Sequence, residues 1–243
     1  MSEGPGETPG GESESDLIRT LVVAGHSDDA ETAARGLDHP SPAVRAAALG
    51  AMARLIALTP DQIAAGVADE DQQVRRRACE AAAQTPRLLD EANADPPNDE
   101  ANADPPIDEA NADPRDPVGV ALLSALADPE PLVAEMAAWA LGELEPATIG
   151  SVPALSEVAI SHDDPLVRES AAAALGSLGL DQGLPAILGA MTDIATVRRR
   201  AVLALAPFDT PEVSEALELA LTDRDWQVRQ GAEDLLGDQH SDH

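Results

Sequence analysis

The sequence predicts an all-α protein, a solenoid of about six helix pairs, and three observations lead to this fold class. Aromatic residues make up 1 % of the 243 residues, so alanine and aliphatic side chains must fill the interior. Strands favour aromatic and β-branched residues, whereas small side chains suit closely packed helices. A pattern of apolar residues also recurs about every thirty positions, and its spacing within each copy follows the helical period.

Each copy of the pattern is anchored on a valine, which arginine follows in five of the six copies. The anchors are separated by 30, 59, 34, 30 and 31 residues and stand at Val44, Val74, Val133, Val167, Val197 and Val228. The spacing of 59 equals one period plus an insertion. Alanine stands four positions after every anchor, and offsets of 0, 4, 7, 8 and 11 lie on one side of an α-helix. Each copy therefore predicts a helix with one buried face, and stacked copies predict a solenoid.

A first helix is predicted upstream of each anchor helix. A polar turn such as Asp128-Pro129 begins the anchor helix, because aspartate caps helices and proline fits their first turn. An amphipathic stretch precedes the turn, for example GVALLSALAD or LPAILGAMTD. The units are predicted to fill residues 15–87 and 117–237, with a short additional helix at about 15–24.

Two acidic segments lie outside these units. The first sixteen residues carry five acids and no base, and residues 90–116 carry ten acids and one base. The second segment is a tandem repeat of nine residues, EANADPPND, EANADPPID and EANADPRDP. Proline, repelling charges and scarce apolar side chains predict disorder over residues 1–14 and 88–116, and a frayed tail over 238–243.

The pattern L-x-D-x-x-x-x-V-R-x-x-A-x-x-A-L-G resembles the HEAT repeat, in the short bacterial form also found in bilin lyase subunits. The clearest copies are HDDPLVRESAAAALGSLG and LADPEPLVAEMAAWALGEL, and the resemblance covers about residues 28–237 without the insertion. It implies second helices that line a concave face, and Asp–Arg pairs that link adjacent units. We therefore predict an all-α, right-handed solenoid of about six HEAT-like helix pairs. Repeat type alone assigns no activity.

Charge and composition exclude several classes of protein. A formal charge of −30 and a pI near 4.1 argue against nucleic-acid binding, which requires a basic surface. One cysteine cannot form an internal disulfide, which favours a reducing compartment. The acidic start is unlike a signal peptide, and no apolar run approaches the ~18–20 residues of a spanning helix. We expect a cytoplasmic protein without a membrane segment.

Motifs of catalysis are missing from the sequence. It contains no Gly-rich phosphate loop, HExxH, CxxC or GxSxG, so we predict a protein that is not an enzyme and has neither cofactor nor metal site. Cys79 lies near Arg75 and is interpreted as core filling, with a reactive thiol as the alternative. His162-Asp163-Asp164 is interpreted as a helix cap, with metal ligands as the alternative.

The candidate binding residues interrupt the small side chains of the predicted concave face. Offsets of 2, 5, 6 and 9 from each anchor were assigned to this face, and its large or charged side chains are Trp139, Leu49, Arg76, Arg199, Val202 and Leu203. Tryptophan and arginine are enriched in binding hot spots. The alternatives are that Trp139 packs on a neighbouring helix and that the arginines are solvated. Trp226 is interpreted as a cap over the end of the core.

These residues favour a non-catalytic scaffold or adaptor that binds a partner protein, basic in character, in its concave groove. The alternative is an enzyme subunit of the bilin-lyase type, which modifies a client protein or carries a cofactor for it. A third interpretation has the acidic insertion cover the arginines and regulate the groove.

Overall fold

A computed structural model describes residues 13–84 and 116–239. The regular secondary structure of these ranges consists of α-helices and a 3₁₀ turn, which agrees with the predicted all-α class. The predicted disordered segments, residues 1–14 and 88–116, lie outside the described ranges except at their ends, where the prediction is wrong: Ser13 caps α1, Glu14 is its first residue, and Asp116 caps α6. Residues 240–243 of the predicted tail lie outside them as well. The described helices are α1 (Glu14–Ala24), α2 (Ala30–Ala34), α3 (Pro42–Arg54), α4 (Pro60–Val67), α5 (Gln72–Gln84), α6 (Pro117–Ala125), α7 (Pro131–Glu143), α8 (Ser151–Ser161), α9 (Pro165–Leu178), α10 (Leu184–Ala190), α11 (Ala195–Ala204), α12 (Pro211–Ala220) and α13 (Trp226–Gln239). A 3₁₀ turn, Asp181–Gly183, precedes α10.

The helices form six pairs, as predicted, and α1 precedes them as the additional helix. The second helix of each pair holds one anchor valine, and each anchor is at most 1 % exposed. These second helices, which are α3, α5, α7, α9, α11 and α13, pack on one another in chain order. Helix starts follow the predicted chemistry, since Asp164 caps α9 through Leu166 N–H and Thr59 forms a capping box on α4.

Glycine lets neighbouring second helices approach to backbone contact. A Cβ at Gly142 of α7 would lie 2.7 Å from Ala174 Cα in α9, and one at Gly176 of α9 would lie 2.7 Å from Ala204 Cα in α11. A Cβ at Gly25, which ends α1, would lie 2.8 Å from Ala51 Cα in α3. Helix α1 therefore packs on α3 as a preceding second helix would. These contacts leave no space for aromatic side chains, which explains their scarcity.

An arginine–aspartate ladder connects the units, as the resemblance implied. Four of the five arginines that follow an anchor bind the aspartate of the next unit's turn through two hydrogen bonds of 2.6–2.9 Å, in the pairs Arg45–Asp69, Arg75–Asp128, Arg168–Asp193 and Arg198–Asp223. The same guanidinium donates to a carbonyl of its own turn, as Arg168 does to His162 O at 2.7 Å. The Arg75–Asp128 pair joins the units on either side of the insertion.

Histidine replaces the ladder aspartate where no arginine arrives. The third unit has Ala134 in the arginine position, and the next turn has His162 in the aspartate position. His39 holds this position in the first unit. Each imidazole Nδ1 accepts the N–H two residues later, at 3.1 Å, as Asp69 Oδ1 does at 2.9 Å. Histidine can thus cap the turn where no arginine is present to balance the charge of an aspartate. The interpretation of His162 as a helix cap is confirmed.

We predict that Asp128→Asn lowers the free energy of unfolding by about 1–3 kcal/mol, because Arg75 loses a charged partner in a mostly buried site. Burial opposes ionisation of Asp128, but the hydrogen bonds from Arg75 and Glu130 N–H outweigh it, and its pKa is lowered. The contribution of this carboxylate is therefore complete above its unfolded pKa of about 3.9 and is lost as pH falls through the lower folded value. Urea unfolding at pH 7 and at successively lower pH measures both effects.

The control for this prediction is Glu130→Gln, which removes one negative charge from an exposed side chain two residues away. Its unfolding curve should match that of the wild type. Equal losses in the two variants would show that the ladder does not stabilise the array.

We also predict that Gly142→Ala destabilises the fold by about 1–3 kcal/mol, although alanine is the better helix former. The added Cβ meets the backbone of α9, which cannot rotate away. Gly50→Ala is the matched variant, since its Cβ meets nothing nearer than Arg77 Nε at 3.6 Å, and should stabilise α3 by up to ~1 kcal/mol. Urea unfolding of both variants should show opposite shifts, and a Gly142→Ala variant as stable as Gly50→Ala would contradict the packing argument.

Candidate functional site

The second helices expose one face, formed by the residues two and six positions after each anchor valine. We call it the second-helix face. At offset 2 it contains Ala46, Arg76, Glu135, Glu169, Arg199 and Gln230, and at offset 6 Gly50, Glu80, Trp139, Ala173, Leu203 and Asp234. None of these twelve residues is buried. Because the second helices are packed side by side, the two sets form continuous rows across the array.

The prediction that Leu49 and Val202 belong to this face is wrong. Leu49 is 3 % exposed and Val202 0 % exposed, and both stand at offset 5. At about 100° per residue, offset 5 is about 60° round the helix from offset 2, which turns it toward neighbouring helices. A Cβ at Gly66 in α4 would lie 3.2 Å from Leu49, and one at Gly231 in α13 would lie 2.9 Å from Val202. Both side chains therefore belong to the core.

Three of the predicted residues do lie on the second-helix face with exposed surface. Trp139 is half-buried at the middle of the array, Leu203 is 52 % exposed, and Arg76 is exposed. The residue next to Trp139 in the offset-6 row is Ala173, which leaves the indole beside a small neighbour. Trp139 thus combines packing with access to solvent.

Arg199 also lies on the face, but its guanidinium is already paired. It donates two hydrogen bonds to Asp225, at 2.9 and 2.6 Å. The bond from Arg199 lowers the pKa of Asp225 to about 2. Arg198 belongs to the ladder and Arg200 approaches Glu169 at 3.6 Å, so the triplet 198–200 is engaged within the fold.

The triplet 75–77 is engaged only in part. Arg75 belongs to the ladder, and Arg77 pairs with Glu80 at 2.8 Å. Arg76 has neither a hydrogen bond nor an ion pair within the described ranges. Of the two predicted basic anchors, Arg199 is paired with Asp225, whereas Arg76 has no such partner among the described residues.

Glu135 and Glu169 also lie on this face, although they were not among the predicted site residues. The predicted residues are bulky apolar or basic, whereas the signal of the two glutamates is their offset of 2, which they share with Arg76 and Arg199. Burial raises the pKa of Glu135, against the attraction of Arg76 and together with the repulsion of Glu169. The middle of the offset-2 row is therefore acidic, with one arginine on either side.

Two other sequence interpretations have clear outcomes. Trp226 is 63 % exposed at the first residue of α13, so the prediction that it caps the core is wrong. Other units have proline, glutamine or alanine in this position, where a side chain projects from the helix start. Cys79 is 0 % exposed, and burial raises its pKa to about 12, so it is core filling.

Within residues 13–84 and 116–239, no three His, Cys, Asp or Glu side chains are arranged to hold a metal ion. The helices of these ranges include none with the length and apolar character needed to cross a membrane.

A family model described as HEAT repeats matches residues 120–195. No curated protein matches the sequence. Solved structures with a similar fold include the complex of CpcE and CpcF of phycocyanin lyase from Nostoc sp. PCC7120, at 19 % identity and a TM-score of 0.54, over 98 % of this chain and 80 % of that one. The S. pombe condensin Cnd3–Cnd2 subcomplex is 19 % identical with a TM-score of 0.60, over 90 % of this chain and 32 % of that one.

A designed armadillo repeat protein in complex with the peptide (KR)4 is 15 % identical with a TM-score of 0.53, over 93 % of this chain and 99 % of that one. At these identities the likeness shows the fold alone. That fold is a solenoid of helical repeats, as the sequence predicted.

We predict that the thiol of Cys79 reacts with a disulfide reagent only when the fold opens, because burial keeps it protonated and inaccessible. The matched variant Cys79→Ala/Ala83→Cys moves the thiol four residues along α5 to a half-buried position, where reaction should be at least about 100-fold faster. The absorbance of the thiolate that the reagent releases measures both rates. Equal rates in the two native proteins would contradict the burial of Cys79.

Proposed function

The chain carries HEAT repeats, and we propose that it is a non-catalytic scaffold or adaptor that holds a partner protein on its second-helix face. Arrays of helix pairs present extended surfaces of this kind. The observation that carries the proposal is Trp139, whose half-buried indole lies at the middle of the offset-6 row. The other residues of this row, apart from Leu203, are small or polar. Large aromatic side chains that keep some exposed surface are typical binding hot spots.

The charge of the chain favours a basic partner. A formal charge of −30 attracts basic proteins and speeds their association. The designed armadillo protein with similar fold binds the basic peptide (KR)4. That complex supports the proposal that a solenoid of this shape binds a basic ligand. The exposed carboxylates of this chain supply the opposite charge. A cytoplasmic location is part of the proposal, because one cysteine suits a reducing compartment.

The test is affinity purification from native lysate with three tagged chains, the wild type, Trp139→Ala and Trp226→Ala. We predict a stoichiometric partner that the wild type and Trp226→Ala retain and Trp139→Ala loses, since the second substitution removes an exposed indole outside the second-helix face. Mass spectrometry identifies the partner, and circular dichroism confirms that each variant is folded. Retention by all three chains would contradict a binding site at Trp139.

A second candidate function is an enzyme subunit of the bilin-lyase type. It is favoured by the similarity to the phycocyanin lyase complex, which extends over 98 % of this chain. A chromophore that copurifies in stoichiometric amount would support this function and would be seen in the visible absorption spectrum. A colourless protein with a Trp139-dependent partner would support the scaffold instead.

A further inference from the structure

Glu135 is an exception among the carboxylates of this fold. Eleven Asp and Glu side chains are half-buried within residues 13–84 and 116–239. Ten of them have a hydrogen bond or an ion pair, namely Asp69, Asp71, Glu80, Asp116, Asp128, Asp164, Glu169, Asp193, Asp223 and Asp225. The carboxylate of Glu135 has neither in the same ranges. A partly desolvated charge without a partner costs stability, so its presence requires a reason.

The neighbouring arginines do not fill the role of that partner. Arg76 precedes Glu135 in the offset-2 row and lowers its pKa, yet no nitrogen of Arg76 lies within 4.0 Å of a Glu135 oxygen. Arg200 approaches Glu169 instead, and Arg199 binds Asp225. The ladder carboxylates differ from Glu135 in this respect, because an aspartate occurs in the ladder only where an arginine of the preceding unit binds it.

Trp139 stands one helical turn after Glu135 on the same face of α7. Residues four apart on a helix are neighbours, so the indole and the carboxylate border the same space. On the α9 side, Ala173 is small and Glu169 adds a second carboxylate. The Ser170 hydroxyl donates to the Glu135 carbonyl oxygen at 2.9 Å, which fixes α9 against α7 at this point. An indole, a small side chain and two acidic groups therefore occupy neighbouring positions on this part of the second-helix face.

We infer that Glu135 and Trp139 form a seat for one basic side chain, lysine or arginine, of the partner protein. This inference rests on the proposed function and specifies what the partner presents. The cation forms a charge-assisted hydrogen bond with the Glu135 carboxylate, and its stem or guanidinium packs on the indole. Glu169 reinforces the attraction, and Arg76 and Arg200 on either side repel a second cation. The partner's basic residue thereby completes the pairing that every other half-buried carboxylate of the described ranges finds within the chain.

Such a seat has two linked consequences. Removing the charge of Glu135 weakens binding, because the cation loses its counter-ion. It also stabilises the free protein, because the desolvated charge disappears, as expected for a functional residue that is costly to the fold. A merely structural glutamate would show the opposite effect on stability.

The experiment compares Glu135→Gln with Glu143→Gln, which removes an exposed charge from the same helix. The probe is a fluorescein-labelled octapeptide of alternating lysine and arginine, and its anisotropy is measured at about 150 mM salt to screen long-range attraction. We expect the dissociation constant to rise about tenfold for Glu135→Gln and less than about twofold for Glu143→Gln. Trp139→Leu should raise it about threefold or more. In urea unfolding, Glu135→Gln should have a higher midpoint than the wild type and Glu143→Gln the same midpoint.

Equal peptide binding by the wild type and Glu135→Gln, or no binding by either, overturns the seat. So does a lower urea midpoint for Glu135→Gln, which would show that the carboxylate supports the fold. A partner that depends on Trp139 in the lysate experiment would then leave the scaffold function in place. Conversely, Glu135-dependent peptide binding without any such partner would support the seat and count against the proposed function.

Discussion

The close approach of the second helices is the constraint on which the rest of this structure depends. Gly142 and Gly176 let adjacent helices touch at the backbone, and the alanines opposite them leave no space for larger groups. This packing explains an interior almost without aromatic residues, and it aligns equivalent positions of successive units into rows. As a result, the ladder runs along the turns between the helices, and the second-helix face lies on the side of each second helix that is opposite its anchor valine.

A single rule for charge then distinguishes structure from function in this array. Apart from Glu135, each half-buried carboxylate of the described ranges has an ion pair, as in Arg75–Asp128, or a hydrogen bond, as in the Asp164 cap, and histidine takes the position of the ladder aspartate where the arginine is missing, as at His162. The rule follows from the cost of a desolvated charge without a polar partner. Glu135 departs from it at the middle of the second-helix face, beside the half-buried Trp139. Within the described ranges no group of the chain pairs with the Glu135 carboxylate, and the proposed seat supplies this partner from another protein.

Much of the fold could be predicted because its determinants are local and repeated. The anchor valines such as Val167, the helix starts at Asp164 and the additional helix near residues 15–24 all follow from spacing and capping chemistry. The ladder was predicted from the resemblance to the HEAT repeat. The site was predicted less well. Trp139 and Arg76 lie on the face, whereas Leu49 is core, and Glu135 was not predicted because the candidates were bulky apolar or basic side chains.

The sequence by itself determined that the chain forms about six helix pairs, where the anchor helices begin, and which side of each anchor helix is buried, since these depend on capping residues and periodicity along the chain. Only the tertiary structure decided which flank of a helix meets its neighbour. That direction buries Val202 at offset 5 and leaves Leu203 exposed at offset 6. It also decided which charges are satisfied, because Arg199 binds Asp225 from another unit while Glu135 has no such partner within residues 13–84 and 116–239. Pairing depends on distances between units, which no local pattern encodes.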